Sequence, residues 1–261
     1  GLSYYLKNGY VADDRTNESV ARTLEFALSD YCIAQMAKAL GKTTDYEDLM
    51  RRAKNYRYLY NPKTKLFQAR NADGCWAGEH SGFTEGANWT YQFCVMQDVQ
   101  GLIDLMGGNE SFAAALDNVF DNGHYRHDNE PGHHYVYLYN YCGRFDKAQE
   151  RIPEILDTHY RNGADGLSGN DDCGQMSAWY LFSSLGFYPV TPASGEYALG
   201  IPRFPSARVE LPHGKVLTVR AEGLKEHKHL PVILFNGKKL DAPFIAIRDL
   251  MKGGVLEFKA E

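Results

Sequence analysis

The sequence predicts a mainly α-helical chain with a C-terminal β region, in which helical hairpins form part of a ring. Three observations favour this architecture. Apolar residues recur at helical spacing through the first two thirds of the chain, glycines separate the helical segments, and short strand-like segments take over near residues 188–200. Hairpins in series are typical of a toroid whose inner helices line a cleft. Periodicity gives about seven helices where a closed six-hairpin toroid needs about twelve, so we expect part of a toroid.

The helical segments begin with residues 17–40, where apolar side chains follow helical spacing and Gly41 acts as a stop. The capping-box sequence at residues 44–47 predicts a second helix that ends before Asn61-Pro62. Pro153 predicts a kink or a late start in a later helix. The further predicted helices cover residues 88–106, 110–121, 132–142, 144–161 and 173–185.

The strand region is predicted from short segments rich in Val, Ile, Leu and Phe. Asn236-Gly237, between two such segments, is the strongest hairpin-turn signal in the chain. We therefore divide the chain into a partial helical barrel at residues 1–190 and a β-strand region at residues 191–261. The predicted strands cover residues 207–212, 215–221, 231–235, 243–247 and 255–259.

Composition excludes several function classes. A net charge of −5 without a basic patch argues against nucleic acid as a partner. No apolar stretch is long enough to span a bilayer, and no signal-peptide pattern opens the chain. The five cysteines are odd in number and lack CxxC spacing, so a zinc ribbon or a redox pair is not expected. The 18 Tyr residues, many beside Asn, Asp, Glu or His, suit a sugar-binding cleft.

The first chemistry-bearing loop is Phe83-Thr84-Glu85-Gly86-Ala87-Asn88-Trp89-Thr90-Tyr91. Glu85 precedes an amphipathic helix, and the adjacent glycine allows a ligand to approach closely. The alternative is that Glu85 only complements the dipole of that helix.

The second loop is His127-Asp128-Asn129-Glu130-Pro131-Gly132-His133-His134-Tyr135. A soft-metal site is disfavoured because His133 and His134 are adjacent and point to different helix faces. The oxygens of Asn129 and Glu130 better suit a hard cation such as calcium. The alternative is a helix cap with Pro131 in the first turn and histidines that bond backbone carbonyls.

The third loop spans residues 165–180 and contains Asn170-Asp171-Asp172-Cys173-Gly174. Adjacent carboxylates repel each other, and a helix cap needs only one acid, so Asp171 and Asp172 indicate function. An EF-hand is excluded because no glutamate stands at the twelfth position.

Hydrolysis of a glycosidic bond needs one acid to protonate the leaving oxygen and one carboxylate to activate water or attack. Glu85 and Asp172 supply that pair.

The strings TEGANWTYQF, NEPGHHYVYLYN and GLSGNDDCGQMSAWYLFSSLGFYPV, in this order, closely resemble the glycoside hydrolase family 92 α-mannosidases. The resemblance runs from about residue 16 to about residue 204, and more loosely beyond. It implies calcium-dependent exo-hydrolysis of α-linked mannose with inversion, on an (α/α)₆ barrel that a β-sandwich domain precedes. The expected partners are mannose-containing glycans and a missing N-terminal part of the parent chain. The expected location is the bacterial periplasm or the exterior.

The same resemblance assigns residues. Glu85 in the EG-x-x-W motif is the general acid, and Asp172 at the end of the GN-x-D loop is the general base. Some family members carry an aspartate where this chain has Asn170, so Asp171 is the candidate for a second contributing carboxylate. Asn129 and Glu130 of the NEP motif hold the metal and the sugar. The remaining candidates for substrate contacts are His133, His134, Trp89 and Asn170.

Two alternatives remain beside the mannosidase. One is an enzyme that acts on mannose joined through phosphate, in which the acid is dispensable, and the presence of Glu85 argues against it. The other is a non-catalytic, calcium-dependent mannose-binding fragment. Turnover of an aryl α-mannoside separates the enzyme from the binding fragment. As an open arc of helices, the chain alone is expected to be catalytically silent.

Overall fold

The computed structural model describes residues 1–260. Contacts divide the chain into two compact units: Gly1–Ser111 with Asp117–Tyr125, and Phe112–Leu116 with Arg126 to the end of the described residues. We describe each unit by itself. The last long helix ends at Leu185 and strands follow from Phe187, slightly earlier than the predicted change near residues 188–200, and the domain division at residues 190–191 stays a prediction.

The first unit is helical, with one two-stranded antiparallel ribbon. Its elements, together with the helix α6 that the two units share, are α1 (Leu2–Asn8), α2 (Ser19–Ala39), α3 (Thr43–Arg52), a 3₁₀ helix (Asn55–Leu59), β1 (Tyr60–Asn61), β2 (Leu66–Phe67), α4 (Asn88–Tyr91), a 3₁₀ helix (Met96–Asp98), α5 (Val99–Leu105) and α6 (Asn109–Asp121).

A buried polar contact ties α1, α2 and α3 together. The Tyr5 hydroxyl donates to the Asp30 carboxylate at 2.8 Å, and the Arg52 guanidinium donates to the same carboxylate at 2.7 and 2.9 Å. The helix predicted at residues 17–40 is confirmed as α2. The predicted capping box is wrong: α3 begins at Thr43, and its N-cap Lys42 makes no side-chain cap bond.

Two predicted helices differ from the structure. Residues 88–106 form α4, a 3₁₀ turn and α5, because the chain turns out of helical conformation at Val95 (φ −132°, ψ 59°). Residues 132–142 contain 3₁₀ rather than α-helix, at Glu130–Gly132 and Tyr135–Asn140. All six residues of Tyr135–Asn140 are buried. This segment is rich in aromatic and β-branched residues, which lose rotamer freedom in an α-helix and so favour it weakly. Its apolar side chains are buried in a 3₁₀ conformation instead.

The second unit combines two long helices with two sheets. Its elements, given in chain order after the two 3₁₀ helices above, are α7 (Phe145–His159), α8 (Gln175–Leu185), β3 (Phe187–Tyr188), β4 (Glu196–Leu199), β5 (Ser206–Glu210), a 3₁₀ helix (Pro212–Gly214), β6 (Val216–Ala221), β7 (Val232–Phe235), β8 (Lys238–Lys239), β9 (Phe244–Ala246), α9 (Ile247–Leu250) and β10 (Gly254–Lys259). Helix α7 runs through Pro153 from Phe145, so the predicted late start is not seen.

The strand predictions are confirmed in place, and one pairing differs in direction. The larger sheet has the order β5-β6-β10-β7-β8, and the smaller has the order β3-β4-β9. Asn236 and Gly237 both adopt positive φ in the β7–β8 hairpin, as a primed turn requires. The β10–β6 pair is parallel, so the region is not wholly antiparallel. Among residues 1–260, no helix is long and apolar enough to cross a membrane.

Candidate functional site

In the first unit, Glu85 lies at a strained and tightly held turn. Its φ of 49° is left-handed, a conformation that costs a non-glycine residue roughly 1–2 kcal/mol. The preceding residue is fixed twice: the Thr84 hydroxyl donates to Glu18 at 3.0 Å, and the Tyr91 hydroxyl donates to the Thr84 carbonyl at 2.8 Å. Strained backbone of this kind clusters at active sites, so the geometry of Glu85 favours the functional interpretation.

Two aromatic rings flank Glu85 in sequence. Trp89, in α4, stacks on His124 with ring centroids 4.4 Å apart and planes 4° from parallel. Phe83 packs on Tyr91 at 5.6 Å. Both rings are half-buried, whereas Glu85 is exposed. The Glu85 side chain is therefore open to solvent beside two half-buried aromatic rings.

In the second unit, the NEP loop presents two oxygen-bearing side chains. The Asn129 side chain accepts a hydrogen bond from the Glu130 amide at 3.0 Å and so caps the short 3₁₀ helix Glu130–Gly132, in which Pro131 is the second residue. Glu130 is exposed. On the other side of Asn129, Asp128 forms an ion pair with Arg126, which lowers the pKa of the Asp128 carboxyl. Capping thus orders the loop and leaves the Glu130 carboxylate at the surface.

His133 and His134 lie inside the unit, at 2% and 3% exposure. The His133 Nε2 atom faces the His127 carbonyl at 3.1 Å, and its Nδ1 atom faces the Gln175 amide nitrogen at 3.2 Å. Burial lowers the pKa of His133, which favours the neutral ring. His134 packs edge-on against Tyr135 at 5.0 Å. The bond from His133 to a backbone carbonyl agrees with the structural alternative for these histidines.

The third loop separates the roles of its two acids. Asp171 accepts a bond from the Ser177 amide at 3.0 Å and therefore serves the first turn of α8. Asp172 is exposed, and within residues 1–260 its carboxylate makes no hydrogen bond or ion pair. Its φ is 44°, and Cys173 follows at 60°, so two consecutive non-glycine residues are left-handed. Asn170 is exposed beside them. Asp172 is thus the acid whose oxygens remain available to water.

The structure brings the second and third loops together. Gly169 lies so near Asp128 that an added Cβ would stand 2.2 Å from the Asp128 carbonyl oxygen. Beneath them, the His127 ring is 4.4 Å from Trp179 and 5.3 Å from Tyr160. The Tyr160 hydroxyl donates to the Met176 carbonyl at 3.0 Å, so it accepts from His127 Nε2 at 2.8 Å. Both loops therefore lie on one layer of aromatic side chains, formed by His127, Tyr160 and Trp179, which we call the aromatic floor. Glu85 and Trp89 belong to the other unit.

The sequence analysis assigned no role to several residues in or beside this aromatic floor. Gln175, Tyr188, Tyr160 and Trp179 stand in the recognised strings or near them, but we assigned no role to them. The Gln175 amide donates to the Tyr188 hydroxyl at 3.1 Å as well as to His133. A glutamine at the first position of this helix was the signal that could have identified it.

The donor chemistry of the NEP loop suits calcium, but the ligand number is incomplete. Asn129 and Glu130 offer oxygen, the ligand atom that calcium prefers, and calcium takes six to eight such ligands. Within residues 1–260, no group of three or more His, Cys, Asp or Glu side chains is arranged to hold a metal ion. A calcium ion at this loop therefore needs additional oxygens from water, from sugar hydroxyls or from the rest of the parent chain.

Known proteins resemble this chain over nearly its whole length. The Glycosyl hydrolase family 92 catalytic domain matches residues 1–261. The structure of an inverting mannosidase of this family from Bacteroides thetaiotaomicron has 35% identity and a TM-score of 0.93, covering 99% of this chain and 39% of that one. A family 92 α-mannosidase from the same organism, in complex with mannoimidazole, has 40% identity and a TM-score of 0.90, covering 97% and 37%.

A fungal relative agrees at lower identity. An uncharacterized secreted glycosidase from Arthroderma benhamiae is 28% identical over 95% of this chain and 36% of its own length. The chain thus spans less than two fifths of the relatives that it matches. Because a match to the catalytic domain covers every residue, the chain belongs to glycosyl hydrolase family 92.

Proposed function

We propose that this chain is the C-terminal portion of the catalytic domain of an inverting exo-α-mannosidase that releases terminal mannose from glycans. The observation that carries the proposal is the pairing of an available acid, Asp172, with the NEP loop on one aromatic floor. Two family members of similar structure are described as mannosidases, one of them as inverting. The α linkage, exo action and inversion are inferences from that similarity.

In the proposed reaction, Asp172 takes a proton from water as the water attacks the anomeric carbon, and Glu85 protonates the departing glycosidic oxygen. Inversion requires room for that water, which corresponds to a carboxyl separation of roughly 6.5–9.5 Å in such enzymes. Asp171 helps to orient the water while it caps α8. Asn170 and Trp89 are the proposed contacts to the sugar.

Calcium is the proposed cofactor, with Asn129 and Glu130 as two of its oxygen ligands. When bound, a divalent cation that coordinates sugar hydroxyls would position the ring and favour its distortion toward the flattened transition state. Two backbone contacts order this part of the loop: the Glu130 backbone amide holds the Asn129 side-chain oxygen, and the 3₁₀ turn at Glu130–Gly132 fixes the Glu130 backbone.

The helices are proposed to form part of an (α/α)₆ toroid that the rest of the parent chain completes. An incomplete toroid leaves the cleft open to water, which weakens electrostatic stabilisation of the transition state. The chain alone is therefore proposed to be inactive. A secreted or periplasmic location is also proposed, in keeping with the secreted fungal relative.

Turnover by the parent enzyme tests the proposal. We expect hydrolysis of an α-mannoside with release of β-mannose, read by proton NMR before mutarotation. Asp172→Asn should abolish turnover and leave mannose binding intact, whereas Asp165→Asn, at an exposed acid seven residues earlier, should not. Mannose binding without turnover would instead indicate a binding protein. Turnover of mannosyl phosphate but not of mannosides would indicate the phosphate-directed enzyme.

A further inference from the structure

Three hydrogen bonds connect Glu130 to Asp172. The His133 amide donates to the Glu130 carbonyl at 3.0 Å. The Gln175 side-chain amide lies 3.2 Å from His133 Nδ1. The Gln175 backbone amide donates to the Asp172 carbonyl at 3.3 Å. The NEP loop and the Asp171-Asp172 loop are thus joined through two side chains.

The direction of the side-chain bond follows from its neighbours. His133 Nε2 faces the His127 carbonyl, which only accepts, so this nitrogen carries the proton. In the neutral ring Nδ1 is then an acceptor, and the Gln175 amide must donate to it. The other amide proton of Gln175 goes to the Tyr188 hydroxyl. Both ring nitrogens of His133 and both amide protons of Gln175 are therefore used.

The hydrogen-bonded pair His133 and Gln175, which we call the brace, is attached to a layer of packed aromatic side chains. The Trp179 indole donates to the His133 carbonyl at 2.8 Å, and Trp179 is 0% exposed. Its ring lies parallel to that of Tyr160, with planes 4° apart. Tyr188 is 7% exposed and stacks on Tyr137 at 5.1 Å. Neither loop can shift relative to the other at this point without breaking a bond to this packed layer.

We propose that Gln175 and His133 are positioning residues, which hold the backbone of Glu130 and that of Asp172, and thereby the loops that carry the two carboxylates, at a fixed separation. This proposal rests on the proposed function and changes one assignment within it. His133 is 2% exposed and has no ring nitrogen available, so it acts through Glu130 and Gln175 rather than by touching the sugar. The separation matters because the water activated by Asp172 must meet a sugar held by the NEP loop.

The expected size of the effect follows from positioning. A displacement of about 1 Å of a reacting group can lower a rate by about 10²-fold. Loss of the brace should therefore lower kcat by about 10- to 100-fold and change KM little, because water, not the sugar, is misplaced. The loss should be equal for good and poor leaving groups, because Glu85 is in another part of the chain and its proton transfer is unaffected.

The test compares two glutamines in the parent enzyme whose side chains both make hydrogen bonds. Gln175→Met keeps the length of the side chain and removes both donors. Gln149→Met is the matched control, because Gln149 is 1% exposed and bonds to the carbonyls of Gly200 and Leu230, away from the two loops. Both variants should lower the melting temperature. Only Gln175→Met should lower kcat when both are assayed well below melting.

Tyr188→Phe is a milder second variant, which removes one of the two acceptors of Gln175. One weakened hydrogen bond predicts a loss in kcat of about 2- to 10-fold in the same direction. If Gln175→Met does not fold, this variant decides alone. Unchanged kcat in the folded variants, or an equal loss in Gln149→Met, would overturn the proposal.

Hydrogen exchange separates this proposal from the proposed function. In the parent enzyme, Gln175→Met should speed amide exchange in residues 127–134 and 170–176 together, and Gln149→Met should not. If the parent enzyme does not hydrolyse mannosides, the proposed function fails and exchange alone decides on the brace. Exchange confined to one loop, or unchanged in both, would show that Gln175 does not couple them.

Discussion

Gly169 lies against the backbone of Asp128 so closely that no side chain fits between them: a Cβ would stand 2.2 Å from the carbonyl oxygen and 2.8 Å from the carbonyl carbon. This contact is made of backbone on both sides, so no rotamer change can relieve it. It sets how near the loop of Asp171 and Asp172 approaches the loop of Asn129 and Glu130.

Gly169→Ala should therefore push the two loops apart. In the parent enzyme we expect kcat to fall by about 10²-fold and the melting temperature to fall with it, because the loops must separate by about 1 Å to relieve the contact. Gly78→Ala is the control, since a Cβ there meets nothing within 4 Å. Steady-state kinetics and calorimetry give both values, and a Gly169→Ala enzyme with wild-type kcat would show that the loop separation is immaterial.

Glu85→Gln should lose activity in proportion to how much the leaving group needs a proton. On alkyl mannosides or mannobiose we expect a loss of about 10²–10⁴-fold, and on activated aryl mannosides much less. Glu79→Gln, at an exposed acid six residues earlier, should change neither rate. Equal losses on both substrate classes would remove Glu85 from the role of general acid.

Chelation should inactivate the parent enzyme, and calcium should restore it better than magnesium, because sugar hydroxyls and a two-residue protein set suit a large, flexible coordination shell. Glu130→Ala should mimic chelation by weakening calcium binding. Glu154→Ala, at an exposed acid on α7, should bind calcium as the wild type does. Titration calorimetry and turnover give the two readouts. Indifference of activity to both EDTA and Glu130→Ala would exclude calcium from the reaction.

His127 should make the second unit sensitive to acid. Burial, with smaller effects from His133 and His159, lowers the pKa of His127 to about 2, although Asp128 acts in the opposite direction. The Tyr160 hydroxyl that contacts it stays neutral, since burial raises its pKa. The unfolded chain therefore binds a proton below about pH 6.5 that the folded chain does not.

The stability that His127 contributes is complete above about pH 6.5 and declines as the pH falls, by about 1.4 kcal/mol per pH unit. Melting temperatures of the chain between pH 5 and 8 measure this slope. His127→Asn should lower stability at pH 8 and flatten the slope below pH 6.5. A slope that is the same in this variant would assign the acid sensitivity to other groups.

The sequence predicted those elements whose signals are local. Helix α2 and the strands β5, β6, β7, β9 and β10 lie close to their predicted bounds, because periodicity and the Asn236-Gly237 turn act within a few residues. The segment 132–142 was misjudged, since its burial on every side depends on partners elsewhere in the chain. The resemblance likewise assigns roles to Glu85 and Asp172 from contiguous motifs, and those roles stay predictions.

The brace was beyond the reach of sequence reasoning for the same reason. The bond from Gln175 to His133 joins residues 42 positions apart, and neither residue type is diagnostic alone. The difference between Asp171 and Asp172 is also visible only in the structure, where the Ser177 amide donates to Asp171 and leaves Asp172 exposed. Two adjacent aspartates cannot be distinguished by residue type, and only the folded structure shows which of them has a hydrogen-bond partner.

The left-handed backbone at Asp172 has a consequence for any evolutionary or laboratory selection. Asparagine and glycine tolerate this conformation better than most residues, so Asp172→Asn and Asp172→Gly should melt no lower than the wild type. A library enriched for heat resistance alone would drift toward these replacements and lose its chemistry. If Asp172 is the base, keeping an acid at this left-handed position therefore requires selection for turnover, because selection for stability alone favours its loss.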